Sequence, residues 1–187
     1  MAEPRHPAEG IAEVMDAAGL ASALIGGLAV NTWVVPRFTA DIDLVVVLAQ
    51  RGAIAGAEAA LLGTGFEYVR RQDLGEPSGP DFIRMQEPST RAAVDLQVAK
   101  TAFQARIVAR ARIDPSGMVR VATPEDLIVL KLIANRSKDR KDLAELVQLP
   151  GIDWDYVERE AAPWGVAERL RALRQLFDAH ELAPVLP

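Results

Sequence analysis

The chain has 187 residues, half of them hydrophobic and a quarter charged, with 21 Lys and Arg against 26 Asp and Glu for a formal net charge of −5. That length and composition fit one globular domain with a real core, or a compact domain carrying a small helical appendage. The absence of cysteine excludes disulfides, thiolate nucleophiles and Cys-ligated zinc, and the acidic balance excludes a generic polyanion binder.

From the N-terminus, Ile11, Val14, Met15 and Ala18 recur at helical spacing, so Pro7 to Ala18 is expected to be a packing helix ended by Gly19. The apolar run Ala21 to Ile25 stops at Gly26-Gly27, and Leu28 to Val35 is expected to be a helix ended by Pro36. Its N-terminus would face a bound phosphate. Arg37 to Ala40 links it to Asp41 to Leu48, rich in β-branched residues and expected to be a strand, so Asp41 and Asp43 share a face. A second alanine-rich helix, Arg51 to Leu62, leads to Gly63-Thr64-Gly65. Phe66 to Arg71 and Phe82 to Gln86 are expected strands around a polar loop, Gln72 to Asp81, and Ala92 to Ala99 is the strand that carries Asp95. A helix over Thr101 to Ala111 follows, then Arg112-Ile113 and Met118 to Val121 about a tight turn at Asp114-Pro115-Ser116-Gly117. Thr123-Pro124-Glu125-Asp126 is a strong helix start. A second helix begins at Ser137, and two more amphipathic segments open at Asp153 and Gly165. Trp33, Trp154 and Trp164 are expected to fill the core or the contact between halves. The expectation is therefore an α/β core over residues 1–122 and a helical region over 123–187.

Asp41 and Asp43 repel each other unless a cation sits between them. With Asp95 delivered from a neighbouring strand, three carboxylates can hold one or two Mg²⁺ about 3.5–4 Å apart, clamping a triphosphate and an attacking oxygen for in-line displacement. A lone carboxylate in the apolar run Ala92 to Ala99 costs several kcal/mol, roughly, without a partner. A metal is an economical partner, and Arg91 or Lys100 are alternatives. Gly26 and Gly27 let backbone N–H groups approach phosphate oxygens directly. The only histidines, His6 and His180, lie near the termini, so any catalytic metal is expected to be oxygen-ligated Mg²⁺ or Mn²⁺. No P-loop, dinucleotide-binding glycine motif or Gly-x-Ser-x-Gly elbow occurs.

Together, Gly26-Gly27, Arg37-Phe38-Thr39-Ala40-Asp41-Ile42-Asp43 and Val94-Asp95-Leu96 resemble the polymerase β-type nucleotidyltransferase superfamily. The downstream block Thr123 to Leu127, Lys131-Leu132 and Arg136 to Leu143 is most similar to its AbiEii-type toxin branch. The resemblance implies a small mixed β-sheet flanked by helices, with a helical C-terminal half completing the active site. It also implies transfer of a nucleotidyl group from an NTP, in some members to the 3′ end of tRNA. Asp41 and Asp43 would bind metal, and Asp95 would be a third ligand or the base for the acceptor hydroxyl. Gly26 and Gly27 would cradle phosphates, and Thr39 would touch one. Lys131 would meet the triphosphate, and Asp139 matches an acidic residue of the family. Arg37, Arg136 and Lys138 would orient phosphate or an RNA end. The superfamily's common Gly-Ser is Gly-Gly here, a backbone contact in place of a hydroxyl.

Simpler roles exist beside these. Lys131 can be a lysine whose stem passes the core to water, and Arg136 to Asp142 can be a solvated helix face with local ion pairs. Two further functions fit the residues: transfer to a small cationic acceptor such as an aminoglycoside, which an isoelectric point near 5.1 favours, and a non-catalytic module that binds nucleotide or a partner. A toxin would also have a cognate antitoxin as partner. No apolar leader opens the sequence, and runs such as Leu44 to Ala49 are too short to span a bilayer. A cytoplasmic protein with no membrane partner is expected.

Overall fold

The computed structural model describes residues 8–49, 52–73 and 80–181, with side chains up to residue 175. His6, the His180 side chain, Arg51 at the head of the predicted 51–62 helix and most of the predicted 72–81 loop lie outside the described residues. By internal contacts the chain forms two compact units, Met1–Thr123 and Pro124–Pro187. No helix among the described residues is long and apolar enough to cross a membrane.

The first unit is a mixed α/β fold. Its elements run α1 (Glu9–Ala17), β1 (Ala21–Ile25), α2 (Gly26–Trp33), β2 (Ile42–Val47), α3 (Ala53–Gly63), β3 (Glu67–Gln72), β4 (Phe82–Gln86), β5 (Ala93–Val98), α4 (Ala102–Arg110), β6 (Arg112–Ile113) and β7 (Arg120–Val121). Seven strands make one mixed sheet in the order β3-β4-β5-β2-β1-β7-β6. β1 runs antiparallel to β2, and β2 parallel to β5. Along β1 the side chains from Ser22 to Ile25 are all buried, as a strand with both faces covered requires. β3 is the opposite case: an edge strand, exposed from Glu67 to Arg71 and carrying charge at Glu67, Arg70 and Arg71, which disfavours pairing with another chain.

Local chemistry fixes the element ends. α4 begins in a capping box, in which Thr101 accepts from the Gln104 N–H at 3.2 Å and Gln104 accepts from the Thr101 N–H at 3.0 Å. The tight turn after β6 closes on Asp114, whose carboxylate accepts from the backbone N–H groups of Ser116, Met118 and Val119. Two of the boundaries that differ from the sequence expectation bear on the site. α2 starts at Gly26 itself, two residues early, because Gly26 takes φ +71° and turns the chain out of β1 straight into the helix. β2 starts at Ile42, so Asp41 stands one residue before it, past the last β1–β2 pair, Ile25 with Asp43.

The second unit is helical: α5 (Pro124–Ala134), α6 (Ser137–Leu146), α7 (Trp154–Ala161), a 3₁₀ turn (Ala162–Trp164) and α8 (Ala167–Glu181). α5 is buried almost all round, from Pro124 to Val129 and again at Lys131 and Leu132, so it is the core of this unit. It ends where Asn135 adopts φ +48°, a residue type that tolerates the left-handed region. α7 is capped by Asp153, which accepts from the Tyr156 N–H at 2.9 Å. Of the three tryptophans, Trp33 is half-buried and donates to the Ala122 carbonyl at 2.9 Å, Trp154 is half-buried, and Trp164 is exposed. The last corrects the expectation of a core role, since the 3₁₀ turn presents it outward.

Candidate active site

Sheet register assembles the first group of residues. Asp43 and Asp95 stand side by side on parallel neighbours β2 and β5, and Arg84 stands beside Asp95 on β4. Residues in one row of a sheet point to the same face about 4.8 Å apart. Asp41, two residues before Asp43, joins that face. The Arg84 guanidinium forks across it, with Nη1 3.3 Å from Asp95 Oδ2 and Nη2 3.4 Å from Asp41 Oδ1. The Arg84 and Asp41 side chains are 34% and 45% exposed, so these pairs contribute little stability, about 0–1 kcal/mol each. Their consequence is position. Asp95 is buried, and its Oδ1 accepts no hydrogen bond.

The glycine pair meets this row at its end. A Cβ on Gly26 would lie 2.1 Å from Asp43 Oδ2 and 2.7 Å from Asp43 Cγ, so the carboxylate occupies the space that any other residue would fill. A Cβ on Gly27 would lie 2.9 Å from Thr39 Oγ1 and 3.2 Å from Arg37 Nη2. Thr39 and Arg37 are therefore packed onto the first turn of α2. Asn31 holds the Arg37 backbone there: its Nδ2 donates to the Arg37 carbonyl at 2.7 Å, and its Oδ1 accepts from the Arg37 N–H at 3.1 Å. The N-cap residue of α2, Ile25, makes no side-chain capping hydrogen bond, and the N–H groups of a helix's first turn suit an anion. Phe38, between Arg37 and Thr39, is 93% exposed.

Gly26→Ala is expected to cost about 1–3 kcal/mol in urea denaturation, from the positive φ alone and before the Asp43 clash is relieved. A variant within about 0.5 kcal/mol of the parent would mean that Asp43 moves aside without strain.

Gly26, Gly27, Arg37, Thr39, Asp41, Asp43 and Asp95 thus gather at one edge of the first unit. Sequence reasoning missed Arg84 and Asn31. Arg84 alternates with buried Ile83 and Met85 on β4, a pattern that puts it on the opposite face from them but names no partner. In donor chemistry the site fits a hard divalent cation: all three acids offer oxygen, and the missing Cβ of Gly26 leaves Asp43 room. Among the described residues, however, no three carboxylates or imidazoles are gathered closely enough to cage an ion by themselves. The Arg84 guanidinium lies between two of the three.

The other predicted residues meet in the helical unit. Lys131 is 3% exposed, and its Nζ binds Asp139 Oδ1 at 3.1 Å and, more closely still, Asp142 Oδ2. Asp139 has no exposed surface and also accepts from the Arg136 N–H at 3.0 Å, from its Nε at 2.7 Å and from its Nη2 at 3.2 Å. Burial pushes the Asp139 carboxyl up, but the Arg136 guanidinium and N–H and the Lys131 ammonium outweigh it and hold the group below the usual carboxylate range. Arg136 and Lys138 are exposed at the start of α6. A deeper pair, Tyr156 Oη to Asp126 Oδ1 at 2.5 Å, links α7 to α5.

Residues 14–183 match the family model described as nucleotidyl transferase AbiEii toxin, type IV toxin–antitoxin system. No curated protein matches the chain. Among solved structures, the antibiotic-resistance factor ANT(2'')-Ia aligns over 95% of this chain and 92% of its own, with 21% identity and a TM-score of 0.51. An antigenic nucleotidyltransferase-like protein from Paracoccidioides brasiliensis aligns over 74% and 71%, with 18% identity and a TM-score of 0.47. At 21% identity the likeness to ANT(2'')-Ia speaks to the fold alone: a mixed sheet flanked by helices and followed by a helical unit.

Proposed function

The chain belongs to the AbiEii nucleotidyl transferase toxin family, and from that premise we propose that it transfers an NMP from an NTP to the 3′-terminal hydroxyl of a tRNA as the toxin of a toxin–antitoxin pair. The observation that carries this reading is the packing of Gly26-Gly27, with Arg37 and Thr39 upon them, against the Asp41, Asp43 and Asp95 row. An anion-binding helix start and a carboxylate row at one edge are the two halves of phosphoryl-transfer chemistry.

The α2 N–H groups, the Thr39 hydroxyl and the Arg37 guanidinium hold and orient the triphosphate. Asp41, Asp43 and Asp95 are the residues that would hold Mg²⁺ or Mn²⁺, which neutralises the phosphates and polarises the α-phosphorus. The acceptor oxygen then bonds to that phosphorus as the bond to pyrophosphate breaks, and the acceptor's proton passes to a carboxylate. Asp95 suits that task better than Asp139. The Asp139 oxygens already accept from Lys131 and Arg136, and its depressed pKa makes it a weak base. Lys131 can meet a triphosphate only by loosening its hold on Asp139 or Asp142, and its first task is to bind α6 to α5. Arg136 and Lys138, exposed on α6, are candidates for RNA phosphate contacts.

The net charge of −5 favours one alternative, a small cationic acceptor such as an aminoglycoside. Incubation with each α-³²P-labelled NTP, Mg²⁺ and either total tRNA or an aminoglycoside panel separates the two. Label on tRNA is expected. Label on the small molecule alone would replace the RNA reading, and no transfer despite NTP binding would point to a non-catalytic module.

A further inference from the structure

We propose that Arg84 is the resident cation of the carboxylate row: it fills the position between Asp41 and Asp95 that a second divalent ion would otherwise take. The chain then binds one divalent ion where three carboxylates alone would bind two. This rests on the metal-dependent reading above and adds a residue to it.

Arg84 is placed by the fold, not by chance. β4 pairs with β5 so that Arg84 is opposite Asp95, and the flanking Ile83 and Met85 are fully buried, which fixes the strand. The two terminal nitrogens of one planar fork then reach two different carboxylates, at 3.3 Å and 3.4 Å. A guanidinium is charged at every accessible pH, and its fork bridges oxygens as a cation would. Among the described residues no three acids close around a point, and Arg84 bonds two of the three acids of the row.

Mn²⁺ alone, without nucleotide, is the probe, with free Mn²⁺ read by electron paramagnetic resonance during titration and folding checked by circular dichroism. The parent chain is expected to bind one Mn²⁺. Arg84→Gln is expected to bind two, the first about tenfold more tightly once the neighbouring positive charge is gone. Arg84→Lys keeps the charge but cannot fork, and is expected to tighten Mn²⁺ binding by a smaller factor; it decides the matter if the glutamine variant does not fold. Equal stoichiometry and affinity in the parent and both variants would overturn the role of Arg84 and leave the metal site standing. No Mn²⁺ binding in any of them, or binding that survives Asp41→Ala/Asp43→Ala, would overturn the metal reading and this inference with it.

Discussion

Lys131→Met is expected to destabilise the helical unit by about 3–5 kcal/mol, the usual cost of breaking a buried ion pair and leaving its partner charged. The size follows from burial: the ammonium is 3% exposed, Asp142 2% and Asp139 not at all, and the methionine would leave Asp142 without its Lys131 contact. Asp139 keeps Arg136, so adding Asp142→Asn should recover much of the loss, because a neutral amide costs less to bury. The same network sets an acid limit. Asp139 is held below the usual carboxylate range in the fold, so its contribution is complete above the unfolded value, about 3.9, and is lost as the pH falls through the folded value. Chemical denaturation as a function of pH checks both statements, and Lys131→Met should show a shallower acid loss because part of the stabilising charge is absent. A variant within about 1 kcal/mol of the parent would mean that the carboxylates find other partners, and would return Lys131 to the triphosphate.

What the sequence makes legible here follows from short range. Gly26-Gly27 and Asp41-x-Asp43 could be read together because a strand has period two and because glycine advertises a backbone that something approaches; the positive φ at Gly26 is a local consequence, while its contact with Asp43 is set by the β1–β2 register. Asp95 was legible from a carboxylate in an apolar run. Arg84 was not, because its partner is decided by the β4–β5 register, and a one-residue slip would have sent the same side chain to the other face. Asn31 was not legible either, because its amide meets the Arg37 backbone in a loop no periodicity describes. The run Arg136 to Asp142 was ambiguous for a related reason. The spacing put Asp139 and Asp142 on one face, but whether that face met water or Lys131 depended on how α6 packs on α5, and the structure buries it.

That burial narrows where chemistry can reside. A carboxylate that accepts several charge-assisted hydrogen bonds is a structural counterion with little basicity left, which describes Asp139. The Asp41 side chain is 45% exposed and is bound by an Arg84 that is itself partly in water. Such pairs exchange readily for a ligand because little stability is lost when they open. The reacting end of the molecule is therefore expected in the first unit, where the charged groups can still move.

Asp43→Asn is the sharpest test of that expectation. The amide is nearly isosteric, so the contact with Gly26 and the place beside Asp95 survive, while the charge facing the phosphates is lost. Nucleotidyl transfer is expected to fall on the order of 10³-fold, about 4 kcal/mol of barrier, far more than any loss of folded protein. Asp41→Asn should show a similar loss, whereas Asp139→Asn should lose stability first and activity only as folded protein disappears. Measured with the labelled NTP assay beside denaturation curves, the pattern separates the two carboxylate groups. If Asp43→Asn retains transfer within about tenfold, or about 1.4 kcal/mol, the carboxylate row is not the metal-holding and charge-stabilising site. The structural case for Gly26-Gly27 as the phosphate cradle, which depends on the same juxtaposition, would then fall with it.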